Sequence, residues 1–242
     1  MFVSLEIIMS DNSISLNKYI SSTGVCSRRE ADKWIEAGRI KINGKVAQKG
    51  NRVTDQDKVS IDGKPLKNKP QKIYIALHKP AGITCTTDRR DRDNIVDFVN
   101  HKKRIFPIGR LDKPSTGVIL MTNDGDIVNK ILRAENSHEK EYIVGVDRVI
   151  TNDFIKKMSN GVPILGTKTK RCKVEKIGRS LFKITLTQGL NRQIRRMCEH
   201  FGYNVRTLKR VRIMNMDLAD LRVGKWRNLT QSELKALKEQ LK

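Results

Sequence analysis

Asp112 is the residue of this sequence best placed for chemistry. It lies in "GRLDK", between Arg110 and Lys113, where the flanking apolar stretches predict a turn. A cation beside a carboxylate stabilises the ionised form, which is the nucleophilic form. Gly109 lets the backbone bend just before it. Taken alone, an Asp in such a turn is explained as well by a weak surface ion pair.

Two later segments carry groups suited to an anionic substrate. Tyr142, in "KEYIV", offers an aromatic face and a hydroxyl, although a half-buried strand tyrosine explains it equally. The segment "NRQIRRMCEHFG" is predicted to be a helix with one apolar stripe facing the core. That stripe consists of Ile194, Met197, Cys198 and Phe201. Three arginines lie off the stripe and are candidate anion contacts: Arg192, Arg195 and Arg196.

The charge of the chain indicates a polyanionic partner. Lys and Arg number 49 against 26 Asp and Glu, a formal net charge of +23 over 242 residues. Such a charge disfavours a compact state unless a polyanion neutralises it, so nucleic acid is the expected partner. An anionic membrane would require a long basic amphipathic helix with an apolar face, and the sequence contains none. We therefore expect no membrane association.

The cysteines and histidines favour no metal site. The four cysteines lack CxxC spacing, and their low number without a disulfide framework suits a reducing compartment. The N-terminus lacks the basic region and cleavage site of a signal peptide, so we expect a cytoplasmic protein. The histidines are expected to be structural or exposed. These are His78, His101, His138 and His200.

Residues 15–66 form a small predicted domain, preceded by a tail predicted to be disordered (residues 1–14). Two helices are expected first, the second opening with the capping box of Ser27 and Glu30. Two short hairpins follow, with turns at Asn43-Gly44 and Asp62-Gly63. Acidic residues do not balance the cations of this segment. This favours a basic ridge that binds phosphates, as opposed to an ordinary solvated face. The candidate contacts are Arg28, Arg29, Lys33, Arg39 and Lys41.

Residues 67–72 are predicted to be a linker, and residues 73–242 are predicted to form a larger mixed domain. Strand and helix patterns alternate there, which predicts an α+β fold with a mainly antiparallel sheet. "NVRTLKRVRIM" is a predicted long strand that places Arg206, Arg210 and Arg212 on one face. That face is either a basic track for nucleic acid or a solvated sheet surface.

The motifs together resemble a known family. "LNKYISSTGVCSRREADKWIEAGRIKINGKVA" resembles the S4 RNA-binding module. "GRLDKPSTGVILMTNDGD", "HEKEY" and "LTQGLNRQIRRM" resemble, in order and spacing, the pseudouridine synthases that act on ribosomal RNA and carry this module. The likeness covers residues 15 to about 230 and is strongest to the subgroup acting on large-subunit ribosomal RNA.

The resemblance implies a reaction without cofactor or metal, in which uracil is detached from its ribose, rotated and rejoined through carbon. Asp112 aligns with the essential aspartate, which attacks either the sugar or the base. Tyr142 aligns with the tyrosine that stacks on the target base, and Arg195 with the basic residue paired to the aspartate. Arg110 aligns with the arginine that fills the gap left by the flipped uridine. Leu186 is expected to form an apolar wall beside the base.

The expected partner is ribosomal RNA, with a transfer RNA left open as a second substrate, and the expected state is a monomer. Two alternatives use the same charge. The first is a non-catalytic RNA-binding or ribosome-assembly protein, for which the S4 module suffices. The second is a basic DNA-binding regulator, suggested by the helix-turn-helix look of residues 15–37, although nothing indicates dimeric half-sites.

Overall fold

The computed structural model describes residues 12–66, 70–133 and 137–241. The chain divides into two compact units, with the boundary after residue 71. Residues 1–11 of the predicted tail and residues 67–69 of the predicted linker lie outside the described ranges. The first strand begins at Ile14, the last residue of that predicted tail, and pairs with Val53.

The small unit contains two helices and six short strands within residues 12–66. The helices are α1 (Leu16–Ser22) and α2 (Arg28–Glu36). The strands are β1 (Ile14–Ser15), β2 (Ile40–Ile42), β3 (Lys45–Val46), β4 (Arg52–Val53), β5 (Val59–Ile61) and β6 (Lys64–Pro65). Strands β3-β2-β5-β6 form one sheet in that order, and β1 pairs with β4.

The local signals of the small unit are confirmed. Ser27 caps α2 and Glu30 closes the capping box. Gly38 follows the helix with φ +69°, a left-handed conformation that ends helices. Both residues of the Asn43-Gly44 turn have positive φ, as tight hairpins require. The helices bury their apolar stripes in a single core.

The large unit contains five helices and eleven strands within its described ranges. The helices are α3 (Ile95–Val99), α4 (Gly125–Leu132), α5 (Asn152–Ser159), α6 (Gln193–His200) and α7 (Gln231–Glu239). The first strands are β7 (Tyr74–Lys79), β8 (Phe106–Pro107), β9 (Thr116–Thr122), β10 (Lys140–Val146), β11 (Pro163–Ile164) and β12 (Thr167–Lys168). The last are β13 (Lys173–Lys176), β14 (Leu181–Leu186), β15 (Val205–Ile213), β16 (Met216–Asp217) and β17 (Trp226–Asn228).

One nine-stranded sheet organises this unit. Its main path is β13-β14-β10-β15-β9-β7-β17, with β16 on β15 and β8 on β9. Every pairing is antiparallel except that of β9 with β15. The α+β fold and its mainly antiparallel sheet are therefore confirmed. No helix within the described ranges is long and apolar enough to cross a membrane.

Three apolar cores pack on this sheet. One lies under α5 and α6 and fills the half built from β10, β13 and β14. On the other half, α4 and α7 cover one face and α3 covers the opposite face. Tyr142 contacts both the first core and the α3 core, so it lies where the two halves of the sheet meet.

Two local features differ from the sequence prediction. The strand predicted to resume after Pro80-Ala81-Gly82 is reduced to one bridge between Thr84 and Asn94. The amide of Thr84 donates to the carbonyl of Asp93 and its carbonyl accepts from Ile95, so this segment pairs with the entry to α3. Neither α3 nor β17 was predicted, because both are too short for periodicity to reveal.

The parallel contact between β9 and β15 depends on Gly117. Gly117 has φ +119° and lies opposite Arg210. A Cβ on Gly117 would be 2.2 Å from the carbonyl oxygen of Arg210 and 2.5 Å from its nitrogen. These are backbone atoms within a sheet, so they cannot move aside without breaking the pairing. Any residue larger than glycine would separate the two halves of the sheet.

We predict that Gly117→Ala lowers the free energy of unfolding by about 3 kcal/mol or more, because the added methyl overlaps backbone. Gly166→Ala is the matched control. Gly166 also has positive φ, +71°, but nothing lies within 4 Å of its added Cβ, so only the conformational penalty of about 1 kcal/mol applies. Urea unfolding of both variants measures the difference, and equal losses would contradict the close approach.

Candidate active site

A tight turn before β9 presents Asp112. The amide of Ser115 donates to the carbonyl of Asp112 at 2.9 Å, which closes the turn. Leu111, on the other side, is buried, and its amide donates to Sγ of Cys85 at 3.3 Å. Both ends of the turn are therefore fixed in the protein, whereas the Asp112 side chain keeps 31% of its surface exposed. A substrate can reach this carboxylate without moving the backbone.

Lys79 stabilises the same turn from its buried side. Its side chain is fully buried at the end of β7. Nζ donates to the carbonyls of Pro80 at 2.8 Å, Ser115 at 2.8 Å and Lys113 at 3.2 Å. All three donors of the ammonium are thus used on backbone oxygens. Burial lowers the pKa of Lys79, and the nearby Cys85 and Asp112 act in the opposite direction.

Arg195 reaches the turn from the first turn of α6. Nη2 donates to Oγ of Ser115 and Nη1 donates to the carbonyl of Val205, both at 3.3 Å. Nε lies 3.7 Å from Oδ2 of Asp112, and the Arg195 side chain is only 10% exposed. At that distance the contact is an ion pair without a hydrogen bond. Burial lowers the pKa of Arg195, and Asp112 opposes this effect.

Strand register aligns further side chains with this turn. Lys79 pairs with Gly117, Gly117 with Arg210, and Arg210 with Tyr142, across β7, β9, β15 and β10. Paired residues on neighbouring strands place their side chains on one face of a sheet. Lys79, Arg210 and Tyr142 therefore share a face, with the side-chain-free position of Gly117 between them. The α3 core covers the same face and includes Leu111, which precedes Asp112.

The cations beside Asp112 in sequence are not both its neighbours in space. Lys113 forms an ion pair with Asp93 at 2.8 Å, and its carbonyl accepts from Lys79. Arg110 is exposed. The expectation that Arg110 and Lys113 together keep Asp112 charged is therefore wrong for Lys113. The ion-pair partner of Asp112 is Arg195, which no local pattern connects to it.

The other site candidates of the large unit surround the start of α6. Leu186 ends β14, is 4% exposed and pairs with Lys140 of β10. Arg192 caps α6 with positive φ and stays exposed, with Nη2 3.8 Å from Oε1 of Glu199. Arg196 bonds back to the carbonyl and the side chain of Asn191. The two arginines thus flank the buried Arg195 on the outer surface of the helix.

Arg210 is a buried residue that the sequence pattern did not identify as such. It is 3% exposed, and its Nε donates to the carbonyl of Val118 at 2.7 Å. Its Nη2 is buried without a hydrogen-bond partner. Arg206 is exposed, whereas Arg212 binds Glu139 at 2.8 Å. These three arginines therefore form neither a continuous basic track nor a solvated face. Their alternation was visible in the sequence, but the burial of Arg210 was not.

The basic candidates of the small unit are all exposed: Arg28, Arg29, Lys33, Arg39 and Lys41. One of them has an acidic partner, contrary to the sequence prediction. Arg39 donates from Nε to Asp62 at 3.1 Å, and its guanidinium lies 5.2 Å from the ring centroid of Trp34. Asp62 comes from the turn of the second hairpin, 23 residues away, so the local sequence did not reveal the pair.

Cys85 contributes to the Asp112 turn as a hydrogen-bond acceptor, whereas His78 and His101 contact backbone elsewhere. The four cysteines, all within the described ranges, form no disulfide. His78 contacts the carbonyl of Leu221 at 2.7 Å, and His101 that of Lys103 at 3.0 Å. Within the described ranges, no three His, Cys, Asp or Glu side chains are grouped so that they could hold a metal ion.

Family comparisons agree with the two-unit organisation. Residues 15–59 match the S4 domain, and residues 73–200 match the RNA pseudouridylate synthase family. The first match falls within the small unit. The second contains the Asp112 turn, Tyr142 and Arg195.

Individual relatives extend over nearly the whole chain. The dual-specificity RNA pseudouridine synthase RluF of Escherichia coli is 58% identical over 94% of this chain and 79% of its own length. The ribosomal large subunit pseudouridine synthase B of Bacillus subtilis is 34% identical over 92% of this chain and 95% of its own. A crystal structure of a pseudouridylate synthase superposes with a TM-score of 0.68 at 27% identity, covering 93% of this chain and 99% of that one.

We predict that the thiols react slowly in the folded protein. Burial raises the pKa of Cys172 to about 11 and that of Cys198 to about 12. At pH 8 the native chain should therefore react with dithionitrobenzoate about a hundredfold more slowly than free cysteine. The rate should rise about tenfold per pH unit, because the thiolate is the reactive form.

The control is the protein in guanidinium chloride, in which all four thiols should react. Cys172→Ser removes the cysteine that is not fully buried. A rapid reaction that persists in this variant and is lost when Cys85→Ser is added would show that Cys85, beneath the Asp112 turn, is open to solvent. That result would contradict the packing described for the turn.

Proposed function

The chain belongs to the RNA pseudouridine synthases, and we propose that it modifies one uridine of large-subunit ribosomal RNA, with Asp112, Tyr142 and Arg195 at the reacting base. The observation that carries the proposal is the buried Arg195 beside the accessible Asp112 carboxylate. Identity of 58% to the Escherichia coli enzyme and 34% to a large-subunit enzyme supports the substrate. We further propose residues 15–66 as the RNA-gripping domain and residues 73–242 as the catalytic domain.

The reaction moves a glycosidic bond from nitrogen to carbon. The C1′–N1 bond breaks, the uracil rotates, and a C1′–C5 bond forms. N1 then gains a proton and C5 loses its hydrogen, so the reaction is an isomerisation in which no redox cofactor takes part. Asp112 is the proposed nucleophile, toward either the sugar or the base, and both routes require its ionised form.

Arg195 suits the task of keeping Asp112 ionised as RNA excludes water from the site. Its hydrogen bonds to Ser115 and Val205 fix the guanidinium independently of the carboxylate. A cation held in place by other groups needs no reorganisation when charge changes at the nucleophile. The distance of 3.7 Å leaves the oxygens of Asp112 available for bond formation.

The remaining candidates are proposed to bind the flipped uridine and its RNA. The ring of Tyr142 would stack on uracil, with Leu186 as an apolar wall. Exposed Arg110 would occupy the space that the uridine leaves in the stack. The outer arginines of α6 and the cations of the small unit would contact phosphates. These cations are Arg192, Arg196, Arg28, Arg29, Lys33, Arg39 and Lys41.

A second RNA substrate is part of the proposal. The Escherichia coli relative is named for dual specificity, and we propose a transfer RNA as the second substrate of this chain. We propose a cytoplasmic monomer, because a single chain contributes the whole Asp112, Arg195 and Tyr142 arrangement. The rival function, a ribosome-assembly protein without activity, would use the same RNA surfaces and leave the Asp112 pair without a role.

Release of tritium from RNA labelled at uridine C5 tests the activity and its nucleophile. The unmodified protein should release tritium from large-subunit ribosomal RNA transcripts. Asp112→Asn should reduce the rate at least about a thousandfold, because the amide cannot attack, while the RNA dissociation constant changes less than about threefold. Asp93→Asn is the matched control, since Asp93 binds Lys113 of the same turn. Full activity of Asp112→Asn would exclude Asp112 as the nucleophile, whereas no release by the unmodified protein would favour a role in assembly.

Arg195→Lys tests whether the reaction needs the guanidinium that Ser115 and Val205 hold beside Asp112. Lysine keeps the charge but cannot reach Ser115, Val205 and Asp112 together. We expect kcat to fall about a hundredfold with little change in KM, because the loss concerns the chemical step. The neighbouring Arg196→Lys should change kcat less than about threefold. A rise in KM alone for Arg195→Lys would place this residue in RNA binding rather than beside the nucleophile.

A further inference from the structure

An exposed aromatic surface lies at the β17 edge of the large sheet. Phe98 and Trp226 are each 38% exposed, and Val223 is 59% exposed. The rings of His101 and Trp226 meet edge to face, with centroids 5.5 Å apart. A Cβ on Gly224 would lie 3.6 Å from Cζ of Phe98, so the two segments touch. We call Phe98, His101, Val223 and Trp226 the edge surface.

The fold presents these side chains without burying them. Helix α3 buries Ile95 and Val99 in its core and leaves Phe98 on the outer side. Strand β17 ends the order of the sheet, so nothing within the described residues pairs beyond it. The backbone of this edge is firmly held, because the amide of His78 donates to Lys225 and the amide of Gly224 donates to His78.

The edge surface shares a face of the sheet with the proposed active site. Trp226 pairs with Leu77, which is two residues before Lys79 on β7. Side chains two apart on a strand point to the same face. Lys79 in turn is in register with Gly117, and so with Arg210 and Tyr142. The edge surface therefore lies on the side of the sheet that α3 covers, the same side as the Asp112 turn.

The charges around the edge surface suit RNA. Four exposed cations flank the rings: Lys102, Lys103, Arg222 and Lys225. Two exposed carboxylates, Asp97 and Asp220, are in the same segments, and Asp97 lies 3.4 Å from Arg89. Aromatic rings among cations match a chain of bases and phosphates, since each base adds a stacking face and each phosphate a negative charge. An apolar protein partner would need fewer charges here.

We propose that the edge surface binds an unpaired nucleotide of the substrate RNA outside the uridine pocket, with the base stacked on Trp226 and the backbone beside Lys102 and Lys225. The inference rests on the proposed RNA substrate. It adds a second point of contact that distinguishes RNAs by the single-stranded segment next to the target helix. Such a contact sets affinity and orientation and leaves the chemical step unchanged.

Tryptophan fluorescence tests the stacking directly. The chain has two tryptophans, Trp34 and Trp226, so Trp34→Phe leaves Trp226 as the only reporter. The probes are a target stem-loop of large-subunit ribosomal RNA with a uridine-rich single-stranded extension and the same stem-loop with a blunt end. The extended RNA should quench Trp226 strongly and the blunt RNA should not. Equal or absent quenching by the two RNAs would overturn the proposal.

Variants measure the affinity that the surface contributes. Trp226→Ala should weaken binding of the extended RNA about tenfold, as loss of one stacked base does, and alter blunt RNA less than twofold. Trp226→Phe should retain most of the affinity. Ile177→Ala is the matched control, because Ile177 is 49% exposed near the opposite edge strand β13. Lys225→Gln should reduce the salt dependence of extended RNA binding by about one ion.

Tritium release from the blunt stem-loop separates this inference from the proposed function. Release by the unmodified protein, with Trp226→Ala binding the extended RNA as tightly as the unmodified protein does, would reject the edge surface alone. No release from either RNA would reject the proposed function. If Trp226→Ala instead abolished a concentration-dependent dimer in ultracentrifugation and left RNA affinity intact, the surface would bind a second copy and the proposal would be wrong.

Discussion

The close backbone contact between Gly117 and Arg210 is the constraint on which the catalytic unit depends. It forms the parallel pairing that joins the two halves of the sheet. The same contact starts β9 directly after the Asp112 turn and puts Tyr142 in register across β15. The absence of a side chain at Gly117 thus determines where the proposed site residues lie, because only glycine lets the backbones of β9 and β15 come this close.

Buried cations complete the site that this contact creates. Lys79 binds three carbonyl oxygens, and Arg195 binds Ser115 and Val205 before it meets Asp112. Neither cation relies on the carboxylate for its position. The fold therefore supplies positive potential at Asp112 without bound RNA, as the proposed reaction at that carboxylate would require. The net charge of +23 suits attraction of RNA, whereas these few buried charges are proposed to act on one base.

Local sequence patterns predicted the helices and strands well. The features that these patterns did not predict depend on contacts between residues distant in sequence. The capping box of α2 and the apolar stripe of α6 appear in the sequence as they do in the structure. Arg195 and Asp112 are 83 residues apart in the numbering, so their contact depends on the whole sheet. Arg210 shows what alternation cannot predict. Periodicity indicates on which face of a strand a side chain lies, but not whether other residues cover that face. The family resemblance linked these residues where spacing alone could not.

The positions of the core residues along the chain affect the order in which the cores can form during synthesis of the enzyme. The core under α5 and α6 uses residues 144–208 only, so it can form as a continuous segment. The core beside α4 combines residues from Tyr74 onward with Leu237 and Leu241 near the end of the sequence. Domains form as their segments leave the ribosome, and contacts between distant segments come late. We therefore expect this half of the sheet to stay incomplete until residues 237–241 have been synthesised, so that a shorter nascent chain remains inactive beside the ribosomal RNA around it.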